Sequence, residues 1–511
     1  MKKSLALIIC SCLLLLTGVV FVACSSDDDG VEQPQVYHVT VEAVLSSDAM
    51  TRALSGGGTG DITPQWAQGE VVYVTKSDTN LGTLTPQSTG TASTKLIGTL
   101  SGAELNVNDV LVLTYLKSPA DYSGQKGTLS DIGANYAIAT ATVKITEVGS
   151  YVKTGNATFT SQQAIVKFSL KGETNEPLNA SRLDIKYGST TLSLTGIPSA
   201  TYTTNGDGVL YVAVPAFDSQ LLTLTATVGG DTYKYEKPAV SFENGKYYPV
   251  GVRMGKNEPY TPQQNYLTLQ ALNSGTTITF DNKASNEVQY KVNKGDWTVL
   301  AAADKSGTTT SLNAGDKVYL RGTNATYTIQ GTDDPETPDT PSGISCSGPC
   351  YVYGNFMSLI GGDNFAATTT LTGYSALSNL FDGNVNIRNH PYKDMELPAT
   401  TLTDYCYYGM FCNCTGLGRS PVMAAAAAGT YSYSYNYYKD MFNGCSGLYY
   451  VTCYSSMYIG DGDAYSTWLE GVQPSGTFVT SSSEYASEWR SRKTTSGVPN
   501  EDGYNWIVLP E

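Results

Sequence analysis

The chain opens with an apolar run from Leu5 to Val22, preceded by Lys2 and Lys3 and closed by Ala23-Cys24. A basic start, an apolar core and a small residue before the break are the layout of a secretory signal, expected over residues 1–23. A cysteine directly after the cut can carry lipid on its thiol, so Cys24 is the predicted lipidation site, although Phe21 stands where a lipobox usually has Leu. The next residues, Ser25-Ser26-Asp27-Asp28-Asp29-Gly30, cannot bury themselves, so 24–35 reads as a solvated acidic tether.

Beyond the tether the hydrophobic period is 2, the period of a strand. Tyr37, Val39, Val41, Ala43 and Leu45 fall on one face of a run over 36–45. Further strands are predicted at Val71–Val74, Val110–Tyr115, Ala164–Leu170, Arg182–Tyr187, Val209–Val214 and Leu221–Val228. Residues 256–264 are polar with two prolines and read as a linker. Alternation resumes over 265–331, with Thr277–Phe280, Val288–Val292 and Lys317–Arg321 as examples, which predicts a small β-sandwich. Residues 332–344 are rich in Pro, Asp and Thr and read as a stiff, solvated linker.

From 345 the pattern repeats. Met410-Phe411 is followed by Cys414, and Met441-Phe442 by Cys445, with a degenerate earlier copy at Leu380-Phe381. An interval of about 30 residues is that of a solenoid, in which each unit buries its apolar side chains against the next coil. The repeats are placed at 345–454 and a C-terminal cap at 455–511, with Trp468, Trp489 and Trp506 as its core.

Composition narrows the class. Only 15% of the 511 residues are charged, and there are 51 Gly and 37 Tyr, the profile of an all-β, multidomain chain rich in turns. A net charge of −15, with no Lys/Arg block after the signal, opposes nucleic-acid binding. His38 and His390 stand in no metal-ligand or triad pattern and read as incidental. Asp461-Gly462-Asp463 reads as a turn rather than a calcium site. No metal, cofactor or catalytic residue is assigned. Past Cys24 the cysteines are Cys346, Cys350, Cys406, Cys412, Cys414, Cys445 and Cys453. Cys346 and Cys350 flank a Gly-Pro turn and are the pair expected to form a disulfide in an exported protein, whereas Cys414 and Cys445 read as a ladder of small buried thiols.

Three sets of motifs carry a resemblance. A first strand, then Thr51-Arg52-Ala53, then Trp66-x-x-Gly69-Glu70 and a final Gly245-Lys246-x-Tyr248 strand resemble the fimbrillin-like pilins over roughly 36–255. The Met-Phe-x-Gly-Cys units, with Leu397-Pro398-Ala399-Thr400 before one of them, resemble BspA-like leucine-rich repeats. The acidic run after Cys24 resembles the surface-export signal of lipoproteins in one group of Gram-negative anaerobes. The first resemblance implies two β-sandwiches, placed at 36–160 and 161–255. It also implies processing at Arg52, which frees a groove that a strand of another subunit fills by β-strand addition.

The reading is a cell-surface adhesin, a pilus tip or accessory subunit exported as a lipoprotein to the outer membrane, or carried in a fimbrium after processing. Its expected partners are other pilus subunits, a host or bacterial surface protein or glycan, and the membrane through its lipid, with no nucleic acid. Tyr431, Tyr433, Tyr435, Tyr437 and Tyr438 are the candidate ligand-binding residues, since exposed tyrosine offers rigid area with a polar tip, and the alternative is that they pack within the repeats. The alternative is a non-polymerising surface lipoprotein that binds a host protein or glycan. A glycan-acting enzyme stands third, because no acid pair or phosphate loop is apparent.

Overall fold

A computed structural model describes residues 35–45, 65–115, 122–331, 339–424, 436–455, 465, 467–490 and 504–511. Among them the chain is all-β and multidomain, with a few short helical segments. The expected strands form because alternating side chains find a core: Val110–Tyr115, Arg182–Tyr187 and Val209–Val214 have the bounds the pattern gives.

The first body is one eight-stranded sheet of β1 (Tyr37–Leu45), β2 (Val72–Lys76), β3 (Thr79–Pro86), β4 (Ser93–Leu100), β5 (Val110–Tyr115), β6 (Ala139–Glu147), β7 (Tyr151–Thr154) and β8 (Ala157–Ser161). It closes on itself. β1 runs antiparallel to β4 from Tyr37 to Val44 on one side, and parallel to β7 and then β8 on the other. Its odd positions are buried and its even positions exposed, so a one-residue slip would turn Val39, Val41 and Leu45 out to water. Trp66 fills the centre, edge-on to Tyr115 and Phe159 at 5.9 and 5.5 Å.

The second body packs a five-stranded sheet, which includes Phe217–Val228 and Asp231–Phe242, on a three-stranded sheet of Val209–Val214, Ala164–Lys171 and Tyr247–Arg253. Residues 122–135, expected within the first unit, dock here instead. Gln125 is fully buried, accepting from Ala213 N–H and donating to Ala213 C=O, both at 2.8 Å. The amide stands in for a strand partner on this edge, together with Gly127 C=O, which accepts from Tyr211 N–H at 2.9 Å.

The third body departs from the expected layout. Residues 340–341 pair with Thr328 and Ile329, and Gly343–Cys346 pairs antiparallel with Ile278–Asp281, so the linker predicted over 332–344 does not run to 344. The next strand, Cys350–Asn355, is shared. One side bonds Leu267–Ala271 of the small sandwich, and the other begins a parallel ladder through Met395–Leu397, Arg419–Met423, Tyr450–Cys453, Ser475–Thr480 and Asn505–Pro510. Sandwich and coils therefore enclose one continuous core, from Leu267 to Val508.

Stacked rungs hold the coils together. Phe381, Phe411 and Phe442 lie face to face at 5.5 and 5.7 Å, and Tyr407, Tyr438 and Tyr465 at 5.7 and 5.1 Å. Cys414 and Cys445 are buried free thiols, donating to Phe381 C=O and Phe411 C=O of the preceding coil at 3.0 and 2.9 Å. Cys346 and Cys350, expected as a disulfide, are also free and buried. Cys346 Sγ accepts from Asn384 and Cys350 Sγ faces Gly348 C=O. The segment expected as a cap contributes a further coil. Trp468 C=O accepts from Phe442 N–H, Trp468 and Trp489 are buried at the end of the stack, and Trp506 is half-buried on the last strand.

Because Phe411 sits in the middle of the rung, Phe411→Ala strands both neighbours across a cavity. The expected loss is about 3–5 kcal/mol, read as a lower urea midpoint for the shared core. A loss below about 1 kcal/mol would mean that the coils do not stabilise one another.

Candidate functional site

Two places carry functional geometry: the slot of β1, and the junction between the second body and the coils. At the slot, β1 contributes Tyr37, Val39, Val41, Ala43 and Leu45 to the first core, none more than 3% exposed. Burial of Val39, Val41 and Leu45 is worth on the order of 1.5–3 kcal/mol each. Both backbone edges of β1 are bonded, and Tyr37 Oη adds an acceptor for Leu105 N–H at 3.2 Å. After Leu45 the chain enters residues 46–64, which contain Arg52 and lie outside the described residues, as does Cys24. The exit and the return share one place: Leu45 N–H donates to Ala92 C=O and Trp66 N–H to Thr91 C=O, both at 2.9 Å. A cut within 46–64 would therefore leave β1 joined to the body by hydrogen bonds and packing alone.

The tyrosine surface predicted on the repeats is not reproduced where it can be seen. Tyr437 and Tyr438 are 2% and 1% exposed. They are core residues because the coil turns them inward, Tyr438 onto the Tyr407–Tyr465 stack. Tyr431, Tyr433 and Tyr435, like Asp461 and Asp463, lie outside the described residues.

The junction is built on residues far apart along the chain. His390, read as incidental, is fully buried, and its Nε2 lies 2.8 Å from Glu173 Oε1. Tyr392 N–H donates to His390 Nδ1 at 3.1 Å, so the ring accepts at Nδ1 and donates from Nε2, the neutral tautomer. Glu173 also accepts from Lys256 N–H at 3.0 Å and from Gln270 Nε2 at 2.7 Å. Gly255 lies flat on the histidine, where a Cβ would come within 3.0 Å of the ring and closer still to Pro391. Beside this lock, Arg419 donates to Glu236 Oε2 at 2.6 Å and to His390 C=O at 2.7 Å. Lys393, 4% exposed, reaches Glu258 at 3.4 Å, which Lys317 approaches at 3.8 Å. Only spacing along the chain hid these pairs: Glu173 and His390 are 217 positions apart.

Burial is the larger influence on His390 and holds its pKa below the ordinary 6.5, against the pull of Glu173. Burial alone would raise Glu173, but the hydrogen bonds from His390 and Gln270 outweigh it and hold the carboxyl below its ordinary 4.5. Glu396, on the strand Met395–Leu397, is pushed up to about 7 by burial and then by the charge of Asp394.

No family model matches the sequence, and no curated relative does either. Solved structures that it resembles include a candidate cell adhesion protein of Bacteroides ovatus, at 12% identity and a TM-score of 0.30, covering 44% of this chain and 97% of that one. The tip fimbrial protein of Porphyromonas gingivalis matches at 9% identity and a TM-score of 0.24, covering 44% of this chain and 97% of that one. The shaft pilin of Lactobacillus rhamnosus matches at 11% identity and 0.20, covering 44% and 100%.

The junction has a defined pH dependence. Both folded pKa values lie below the unfolded ones, so its contribution is complete above pH 6.5 and drains as pH falls, the imidazole first and the carboxylate below 4.5. Glu396 runs the other way, its raised pKa adding stability as pH falls from about 7, so the measurement is the difference in thermal midpoint between the native chain and His390→Gln from pH 8 to pH 4. His390→Gln can still donate and accept and loses only the titrating imidazole, so the native midpoint should fall relative to that of the variant below about 6.5. Identical profiles for the two proteins would remove His390 from the account.

Proposed function

We propose that the chain is a surface-displayed adhesin of the pilus-subunit class, delivered as a lipoprotein on Cys24 and assembled by β-strand addition after a cut at Arg52. The observation that carries this reading is the closure of the first sheet by β1 alone, between β4 and β7–β8. Loss of that strand would expose two unpaired backbone edges and the apolar positions it covers. Such a slot accepts a second strand of the same period-2 pattern, with backbone bonds giving affinity and alternate side chains giving fit. The residues that flank the segment containing Arg52 are bonded to the body, Leu45 to Ala92 and Trp66 to Thr91, so a cut between them leaves both flanks anchored. The coils at the other end then serve as the head, and the lipid leaves with the first strand. If Arg52 stays whole, the same chain is a permanently anchored, non-polymerising binder, the second reading.

The two readings differ in one treatment. An Arg-specific protease applied to the full chain should give a discrete cut after Arg52. The β1 fragment should remain bound until a strand donor or mild denaturant displaces it, because its burial outlasts the cut. Concentration-dependent oligomers should then appear in size-exclusion chromatography. Protection of Arg52, or a nicked protein that stays monomeric after β1 is displaced, would sink the pilus-subunit reading and leave the anchored binder.

A further inference from the structure

A cleft of about 500 Å³ opens where the strand Asp231–Phe242 of the second body meets the edge of the coils. Tyr235 and Tyr449 border it, Tyr351 forms its floor, and Arg253, Arg388 and Lys237 supply its cations. Its volume lies within the range of small-molecule sites, about 300–1,000 Å³. Its charge runs against that of the chain, which is −15 overall. The one acidic side chain lining it, Glu236, is already matched by Lys234 on Oε1 and Arg419 on Oε2, each at 2.6 Å. Neither Arg253 nor Arg388 has a carboxylate at ion-pair distance among the described residues, and burial depresses the pKa of both.

The two guanidiniums are held rather than free. Arg388 Nη1 donates to Ile387 C=O at 2.8 Å and to Val385 C=O at 2.6 Å, and Arg253 donates to Glu173 C=O, Asn175 and Asn273. Arg388 lies across Gly416, and Tyr449 across Gly418, where Cβ atoms would collide with them. The coil edge is bare at these two positions, and the cation and the ring lie flat along it. Pre-set guanidinium groups match a planar carboxylate, and tyrosine faces with hydroxyl tips suit a ring that is apolar on one face and polar at its rim.

We infer that this cleft binds a carboxylate-bearing sugar, with Arg388 and Lys237 facing the acid and Tyr235 and Tyr449 facing the ring. The inference deepens the adhesin reading by naming where and what the head-to-base junction recognises. Net negative charge does not forbid it, since the Debye length at physiological salt is about 8 Å and local cations dominate.

The test is calorimetric titration of the full chain in detergent with 3′-sialyllactose, with lactose as the uncharged counterpart and hexaglutamate as an acidic peptide. Saturable binding of the acidic sugar alone is expected, weakened about tenfold or more by Arg388→Gln. Lys237→Gln should weaken it several-fold, and because Lys237 is exposed this variant keeps the fold and decides the matter if Arg388→Gln melts early. Equal binding of lactose, preference for hexaglutamate, no saturation by about 10 mM, or native affinity in both variants would overturn the inference. Arg52 cleavage and assembly involve no residue of the cleft, so their failure would leave this binding intact, and its failure would leave them intact.

Discussion

A carboxylate drawn largely out of water must be bonded or it destabilises the fold around it, and Glu173, whose side chain is 12% exposed, meets that demand only by reaching across two bodies. It leaves the second body at residue 173, takes one hydrogen bond from its own Lys256 backbone, and completes its set with Gln270 of the small sandwich and His390 of the coils. The three groups converge from different parts of the chain. Sliding the coils by one residue would strand the charge, at a cost of several kcal/mol. A hydrophobic patch would have tolerated the slip. Polar pairs of this kind are best attested as devices that fix register, and here the register is that of head on base.

The same principle explains why the third body is not a sandwich with a separate solenoid attached. A short stack of coils has two open ends, and each exposes apolar rungs. One end is closed by sharing the strand Cys350–Asn355 with the small sandwich, so Phe356 packs against both Phe381 and Phe411. The other is closed by Trp468 and Trp489, stacked at 5.5 Å. The first and second bodies each keep a core apart from the one that the small sandwich and coils share, and in the first a single strand closes the sheet. That core has no residue in common with the rung stack.

Legibility in the sequence followed the range of the interactions. Period-2 strands were legible because each side chain reports its own face, and the rungs were legible because Phe411 and Phe442 recur at the solenoid interval. Asp231–Phe242 escaped notice because Pro238 and the left-handed Ala239 interrupt it, with the register shifting nearby. Surface and core are both open for Tyr437 and Tyr438 in the sequence, because a run of tyrosines looks the same whether it faces water or a neighbouring coil. The direction is decided by Tyr407, a full turn of the coil away. His390 and Glu173 could not be joined from spacing at all, since nothing local to either residue announces the other. Arg388 was invisible for the opposite reason: its significance lies in Gly416, where a missing Cβ lets the guanidinium lie flat.

The cleft and the lock are two faces of one junction. Arg253 belongs to the strand that runs into Gly255, and Glu236 is tied to Arg419, which in turn holds His390 C=O. Protonation of the imidazole removes the acceptor for Tyr392 N–H and draws the ring toward Glu173 as a cation, disturbing the segment 389–392 that carries both the lock and one wall of the cleft. The acid-sensitive pair and the lining of the cleft thus share the same few residues. A ligand that needs the aligned junction stabilises it, and by reciprocity an intact junction binds that ligand more tightly. The coils and the second body therefore build the cleft together, and the coils alone hold only half of its lining.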